Sequence, residues 1–160
     1  MIHVHELTVH YAEQAALQDV SFDVQAGECL VVTGPSGCGK STLARVLTGL
    51  IPQVIPAEME GEVEVAGLAV THLPTAETAQ HVGVVFQNPR AHLFHLRVAD
   101  EVAFGPYNLG LAAEEVEARV AWALEAVGLN DLSEQNPACL SGGQIQRLAI
   151  ASALAMRPKV

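Results

Sequence analysis

The chain has 160 residues, of which 50% are hydrophobic, so it is long enough to bury a core and to fold as a globular domain. Its 8 basic and 18 acidic residues give a net charge of −10, which argues against nucleic acid as a partner, because proteins that bind its phosphate backbone present a basic face. No basic or apolar leader follows Met1 and no apolar run approaches the roughly 20 residues of a membrane span, so we expect a cytoplasmic protein that reaches a membrane only through a partner.

Strand-like patterns dominate the first half of the chain. Residues 2–9 and 20–24 alternate between apolar and polar side chains, as strands with one buried face do. Residues 27–34 and 81–87 are instead short, nearly continuous apolar runs, which are typical of a parallel sheet covered on both faces. Residues 61–70 are predicted to form a further small pair of strands. The expected fold class is therefore α/β, with antiparallel strands at the N-terminus.

Helices are predicted after the third strand and again in the second half. From about Lys40 to Leu50 the apolar side chains share one face of a helix, and a short helix is predicted at residues 74–78. From Val98 to about Leu132 the pattern is helical, with one apolar stripe formed by Val116, Val120, Leu124 and Val127. We interpret this part as a helical subdomain inserted into the α/β core, and Trp122, beside the stripe, as a core residue.

The run GPSGCGKST contains the phosphate-loop pattern G-x-x-x-x-G-K-[ST], which links a predicted strand to a predicted helix. Its glycines allow successive N–H groups to surround an anion at the helix N-terminus. Lys40 would contact the β- and γ-phosphates of ATP, and the Ser41 hydroxyl would bind Mg²⁺. The alternative is a glycine-rich turn that caps a helix and binds nothing. The predicted ATP-binding residues are Gly34, Pro35, Ser36, Gly37, Cys38, Gly39, Lys40, Ser41 and Thr42.

A second motif, LSGGQ at residues 140–144, begins a long apolar helix. With both motifs the chain resembles the ATP-binding subunits of ABC transporters, in which this signature contacts the γ-phosphate of ATP held by the opposite subunit. The resemblance implies that Ser141, Gly142, Gly143 and Gln144 bind ATP in trans, and that a second ATPase subunit or domain is a partner. A serine hydroxyl and open glycine amides at a helix N-terminus suit an anion. The local alternative is a helix that Ser141 merely caps.

Two further positions fit the same family. Tyr11 follows the first strand, where the family places an aromatic ring against adenine, and such stacking is typically worth about 1–3 kcal/mol. Gln87 matches the glutamine that contacts Mg²⁺ and the attacking water and whose loop faces the membrane subunit. The alternatives are an ordinary aromatic residue and an ordinary glutamine, each at the end of a strand.

The runs VFQNPRAHLF and ADEVAFGPYNLGL resemble the ATPases of energy-coupling factor (ECF) transporters, which import vitamins and transition-metal ions such as cobalt and nickel. The resemblance covers essentially the whole chain and implies a transmembrane coupling subunit with a substrate-binding membrane protein as partners. It also implies a peripheral location on the inner face of the cell membrane. The chain departs from the family's usual residues near this coupling surface, at Arg90, Ala91, His92 and Arg97.

Candidate metal ligands other than those for Mg²⁺ are few. His92 and His95 form an i, i+3 pair in HLFH without the rest of a ligand set, and we interpret them as surface or coupling-loop residues. Cys29, Cys38 and Cys139 are odd in number and lie in no CxxC pattern, which favours a reducing compartment. Cys38 occupies a loop position where only the backbone is expected to matter.

The resemblance also implies parts that follow the signature helix. The family uses a hydrophobic strand ending in an acidic Mg²⁺ ligand, then a glutamate that polarises water and a later histidine. Pro158 ends the predicted helix, and Val160 would be the first residue of that strand. We therefore expect an incomplete ABC ATP-binding domain, truncated before this Walker B strand and inactive as an ATPase alone. Its predicted parts are a β/P-loop core portion (1–97), a helical subdomain (98–140) and the signature helix (141–157).

The leading hypothesis is an ATPase that energises an ECF-type importer by binding and hydrolysing ATP at a dimer interface. One alternative is a soluble ABC-type ATPase acting on ribosomes or DNA, which the net charge argues against. Another is a non-catalytic regulatory ATP-binding protein that ends at Val160. The sequence leaves open the transported substrate and the choice between a homodimer and a heterodimer.

Overall fold

The structure is a computed structural model that describes residues Met1–Val160. The chain forms two compact units, one of residues 1–82 with 159–160 and one of residues 83–158. None of the helices is both long and apolar enough to cross a membrane.

In chain order the elements are β1 (Ile2–Tyr11), β2 (Gln14–Val24), α1 (Lys40–Leu47), α2 (Leu50–Gln53), β3 (Glu58–Val65), α3 (Thr75–Thr78), α4 (Val98–Asn108), α5 (Ala113–Val127) and α6 (Gly142–Ala155), with short 3₁₀ turns at Pro89–His92, Asn130–Leu132 and Pro137–Cys139.

The first unit is built on an antiparallel sheet with the strand order β2–β1–β3. Its buried face shares one hydrophobic core with Leu43 and Val46 of α1, because alternate side chains of a strand point to opposite faces. One irregularity requires a glycine: Gly61 has φ of 94°, and a Cβ there would lie 2.5 Å from the carbonyl oxygen of Glu6. The predicted antiparallel strands at the N-terminus are thus confirmed.

The predicted parallel sheet is not formed. Neither residues 27–34 nor residues 81–87 are a strand, and Val31 is 74% exposed. A strand exists only where its N–H and C=O groups pair with a neighbouring strand, and residues 29–33 make no backbone hydrogen bond within the chain. The physical reason for the error is that an apolar run reports burial tendency, whereas strand formation depends on a partner segment.

The second unit is a bundle of α4, α5 and α6. The three helices pack pairwise around one core, to which each contributes fully or nearly fully buried side chains, including Val98 and Val102 of α4, Ala123 and Leu124 of α5, and Leu148 and Ala151 of α6. The predicted helical stretch after Val98 is divided at Gly110, which has φ of 72° and directly follows the C-terminal end of α4.

Trp122 is 46% exposed, so the prediction that it belongs to the core is wrong. Side chains two positions apart on a helix point roughly 200° apart, and Trp122 therefore faces away from the buried Leu124. The buried residues of α5 are Val116, Ala123 and Leu124.

Candidate nucleotide-binding site

The phosphate loop, residues 34–41, follows the unpaired apolar run and enters α1 at Lys40. Gly39 caps the helix in the left-handed conformation, with φ of 92°. A Cβ at Gly39 would lie 2.5 Å from the carbonyl oxygen of Ala16 and 2.7 Å from Cδ2 of Leu17, so no side chain fits there. The packing of the chain itself therefore requires glycine at this position.

The start of α1 presents unused hydrogen-bond donors. The backbone N–H groups of Gly39, Lys40 and Ser41 donate to no acceptor of the chain, and no side chain caps the helix. Unpaired N–H groups and the positive end of a helix dipole together attract an anion. This end of α1 has the donors that a phosphate group needs.

The Lys40 ammonium group lies inside the loop. Its Nζ donates to the carbonyl oxygens of Gly34 and Pro35, each at 2.8 Å, and lies 3.4 Å from Sγ of Cys38. A phosphate oxygen carries a full negative charge that these carbonyl groups lack, so the ammonium could exchange them for an ion pair with phosphate. The loop thus combines a positive charge with free N–H groups.

The remaining predicted residues of the loop differ in exposure. Ser41 is exposed, so its hydroxyl is free to bind a cation, and a hard oxygen ligand of this kind suits Mg²⁺. Thr42 is 7% exposed, so its side chain is buried. Cys38 is exposed.

Tyr11 and Gln87, the two other predicted site residues, lie in different units of the chain. Tyr11 ends β1, its ring packs against the core of the first unit, and its hydroxyl is buried without a hydrogen-bond partner. Gln87 is exposed in the second unit, just before the 3₁₀ turn Pro89–His92. The roles predicted for both residues stay predictions.

The signature residues begin α6. The Ser141 hydroxyl accepts from the N–H of Gln144 at 3.3 Å, and the Ser141 N–H donates to Oε1 of Gln144 at 2.8 Å, which makes a reciprocal capping box. Gly142 and Gly143 are exposed, neither has a positive φ, and a Cβ at either would meet nothing within 4 Å. The capping box explains Ser141 and Gln144, whereas nothing in the chain explains the two glycines.

A buried carboxylate that the sequence interpretation missed lies in the same unit. Glu101 of α4 is 6% exposed, and its Oε2 accepts from the backbone N–H of Phe94 at 3.1 Å and from that of His95 at 3.0 Å. Nδ1 of His95 lies 3.1 Å from the same oxygen. The sequence could have indicated that Glu101 is buried, because Glu101 lies on the same apolar face of the helix as Val98 and Val102.

The two histidines of HLFH have separate surroundings. His95 pairs with Glu101, whereas the ring of His92 stacks on Phe86 with centroids 4.9 Å apart. No three histidine, cysteine, aspartate or glutamate side chains of the chain are placed to hold a metal ion together. Arg90 of the same segment donates from Nη2 to the carbonyl oxygen of Leu140 at 3.3 Å, next to the signature serine.

Four exposed apolar side chains, together called the exposed aromatic surface, lie on this segment and on α4. We define it by Phe94, Leu96, Phe104 and Tyr107, which are 62%, 77%, 43% and 55% exposed. The rings of Phe94 and Phe104 meet edge to face with centroids 4.9 Å apart. Exposed apolar patches of this kind mark sites of contact with other molecules.

Known proteins are similar to the chain in sequence. The family described as ABC transporter matches residues 17–160. A protein of Pyrococcus abyssi with the general name ABC transporter ATP-binding protein is 48% identical over 162 residues, covering 100% of this chain and 58% of its own length. A protein of Pyrococcus furiosus with the same general name is 48% identical over 160 residues, covering 99% and 59%. The chain thus spans less than two thirds of these relatives.

Two solved structures share the fold. Chain cbiO1 from Clostridium perfringens, described as part of the ABC transporter complex cbiONQ, matches with a TM-score of 0.85 and 31% identity over 98% of this chain and 62% of its own. The ATP-binding cassette MJ0796, solved as a dimer in a post-hydrolysis state bound to ADP and Pi, matches with a TM-score of 0.81 and 29% identity over 99% and 71%.

Proposed function

The chain belongs to the ABC transporter family as an ATP-binding domain, and from this premise we propose that it binds Mg²⁺–ATP on its phosphate loop to drive an importer. The observation that best supports this proposal is the start of α1, where Lys40 lies next to the free N–H groups of Gly39 and Ser41. The Ser41 hydroxyl would hold Mg²⁺, which neutralises charge on the β- and γ-phosphates when bound. Tyr11 would contact the adenine.

We propose further that the second half of the site comes from another copy or a related subunit. Glycine in a helix destabilises it by roughly 0.5–1 kcal/mol relative to alanine, and neither the backbone nor the packing of this chain requires Gly142 or Gly143. Glycine is useful there if the γ-phosphate of a partner's ATP approaches the helix closely. The related cassette solved as a dimer with ADP and Pi supports this arrangement.

The proposed reaction is in-line attack of water on the γ-phosphate, oriented in part by Gln87. In this proposal the free N–H groups of the loop and the Lys40 ammonium would stabilise the negative charge that gathers on the phosphates. Stabilising that charge is the main contribution a protein makes to phosphoryl transfer.

The proposed partner is a transmembrane coupling subunit of an ECF-type importer of a vitamin or a transition-metal ion, which would hold the protein at the inner face of the membrane. Two observations support this choice: the exposed aromatic surface, part of which lies on the loop that follows Gln87 in the sequence, and the 31% identity to cbiO1 of a cbiONQ complex. An amphipathic helix of the coupling subunit would place its apolar side on Phe94, Leu96, Phe104 and Tyr107.

Nucleotide binding tests the first part of the proposal. We expect Lys40→Ala to weaken binding of a fluorescent ATP analogue by about 10- to 150-fold, because a hydrogen bond to a charged group is worth about 1.5–3 kcal/mol. Ser141→Ala is the matched control, because it should leave this binding unchanged and abolish only ATP-dependent association. Equal affinities of wild type and Lys40→Ala would contradict the assignment of the loop.

Purification from native membranes tests the second part. The protein should be recovered with an integral membrane subunit whose presence stimulates ATP hydrolysis, and mass spectrometry should identify a bound vitamin or metal ion. Recovery with ribosomes or DNA instead would favour a soluble ABC-type ATPase.

A further inference from the structure

The loop of residues 93–97 carries two of the four side chains of the exposed aromatic surface and has little structure of its own. It lies between the 3₁₀ turn Pro89–His92 and α4. Among its five backbone N–H groups, only those of Phe94 and His95 donate within the chain, and both donate to Glu101. Glu101 is therefore the only internal acceptor that holds the N–H groups of this loop.

The contact fixes the direction of the loop's side chains. Two consecutive N–H groups that meet one carboxylate oxygen restrain the backbone at Phe94 and His95, and the His95 ring adds a third contact at 3.1 Å. The restrained backbone places Phe94 edge to face on Phe104, and Leu96 stays 77% exposed. Burial of an ionised carboxylate is costly unless several donors satisfy it, so carboxylate and loop stabilise each other.

We propose that Glu101 is the positioning residue of the aromatic surface, holding Phe94 and Leu96 in the arrangement that the coupling subunit contacts. This inference rests on the proposed function. It goes beyond the proposed function, because it attributes the fixed conformation of residues 93–97 to one buried carboxylate on α4 and not to the exposed residues themselves.

Amide hydrogen exchange tests the positioning role on the chain itself. Glu101→Met keeps the length and burial of the side chain but removes every acceptor, and Glu101→Gln keeps one carbonyl oxygen without the charge. Exchange at Phe94 and His95 should accelerate at least tenfold in Glu101→Met and by less in Glu101→Gln, while exchange in α5 and α6 stays unchanged. Glu117→Met, at an exposed position of α5, is the matched control.

Exchange rates at Phe94 and His95 that stay within twofold of wild type in a folded Glu101→Met variant would overturn the inference. If Glu101→Met unfolds the chain, Glu101→Gln decides the question with the same readout. If the NMR signal of the His95 ring were the same as in wild type in both variants, that result would also contradict the inference.

Affinity for the coupling subunit separates this inference from the proposed function. In the full-length protein, Leu96→Ser changes only an exposed side chain and should weaken the complex at least tenfold, as should Glu101→Met. An intact complex with Leu96→Ser would refute the docking surface itself. Loss of the complex with Leu96→Ser but not with Glu101→Met would refute only the role of Glu101.

Discussion

Replacing both signature glycines by alanine should stabilise the chain and abolish its ATP-dependent association. Gly142 and Gly143 lie in the first turn of the 14-residue helix α6, without a positive φ, and a Cβ at either position would meet nothing within 4 Å. Alanine therefore adds no clash, and each replacement removes the conformational entropy that glycine loses on folding. We expect the free energy of unfolding to rise by about 1 kcal/mol for the double variant, toward the lower end of the range for two glycines.

The measurement pairs thermal unfolding with sedimentation. A rise of about 2–4 °C in the midpoint is expected for a chain of this size, together with loss of the ATP-induced dimer, because two methyl groups cover the amides that a partner's phosphate would approach. Gly39→Ala is the control, and it should lower the unfolding midpoint instead of raising it. Gly39 has φ of 92°, and a Cβ there would lie 2.5 Å from the carbonyl oxygen of Ala16. A double variant that is less stable than wild type, or that still dimerises with ATP, would refute the reasoning.

Two further predictions concern the first unit and a third concerns the whole chain. Alkylation of the exposed Cys38, whose Sγ lies 3.4 Å from Nζ of Lys40, should block nucleotide binding, and ATP should slow the alkylation; equal rates with and without ATP would contradict the placement of the loop. The hydrogen bond to Asp23 raises the pKa of His3, and the negative charges of Glu64 and Glu62 add to the effect. The contribution of His3 to stability is therefore complete below its unfolded pKa of about 6.5. It is lost as the pH rises through the higher pKa of the folded state. Chemical denaturation should show a deficit of His3→Gln relative to wild type at pH 6 that disappears at pH 9, and a deficit independent of pH would exclude this origin. We expect residues 1–160 alone to bind ATP with at most trace turnover, as the resemblance to ABC ATP-binding subunits implies; robust phosphate release, abolished by Lys40→Ala, would show otherwise.

The local geometry of the two motifs follows largely from residues that are close together in the sequence. The signature cap is local, because its capping box joins Ser141 to Gln144. The start of α1 is partly local, but Gly39 is also required by its close approach to the distant Ala16. The runs at 27–34 and 81–87 were misjudged because a strand depends on a distant partner segment. Glu101 was missed because its donors lie six and seven residues before it, outside any helical period, and only the folded loop brings them to the carboxylate.

Residues 30–32 and the exposed aromatic surface are two exposed apolar regions that differ in what would cover them. Leu30, Val31 and Val32 are exposed on backbone that makes no hydrogen bonds within the chain, so covering their side chains alone would leave N–H and C=O groups unpaired. Only a segment that supplies backbone hydrogen bonds, as a neighbouring strand does, satisfies both needs. Phe94 is exposed on a backbone whose N–H is already bound by Glu101, so side-chain contact alone can cover it. The first region therefore needs a strand, whereas contacts between side chains alone would cover the second.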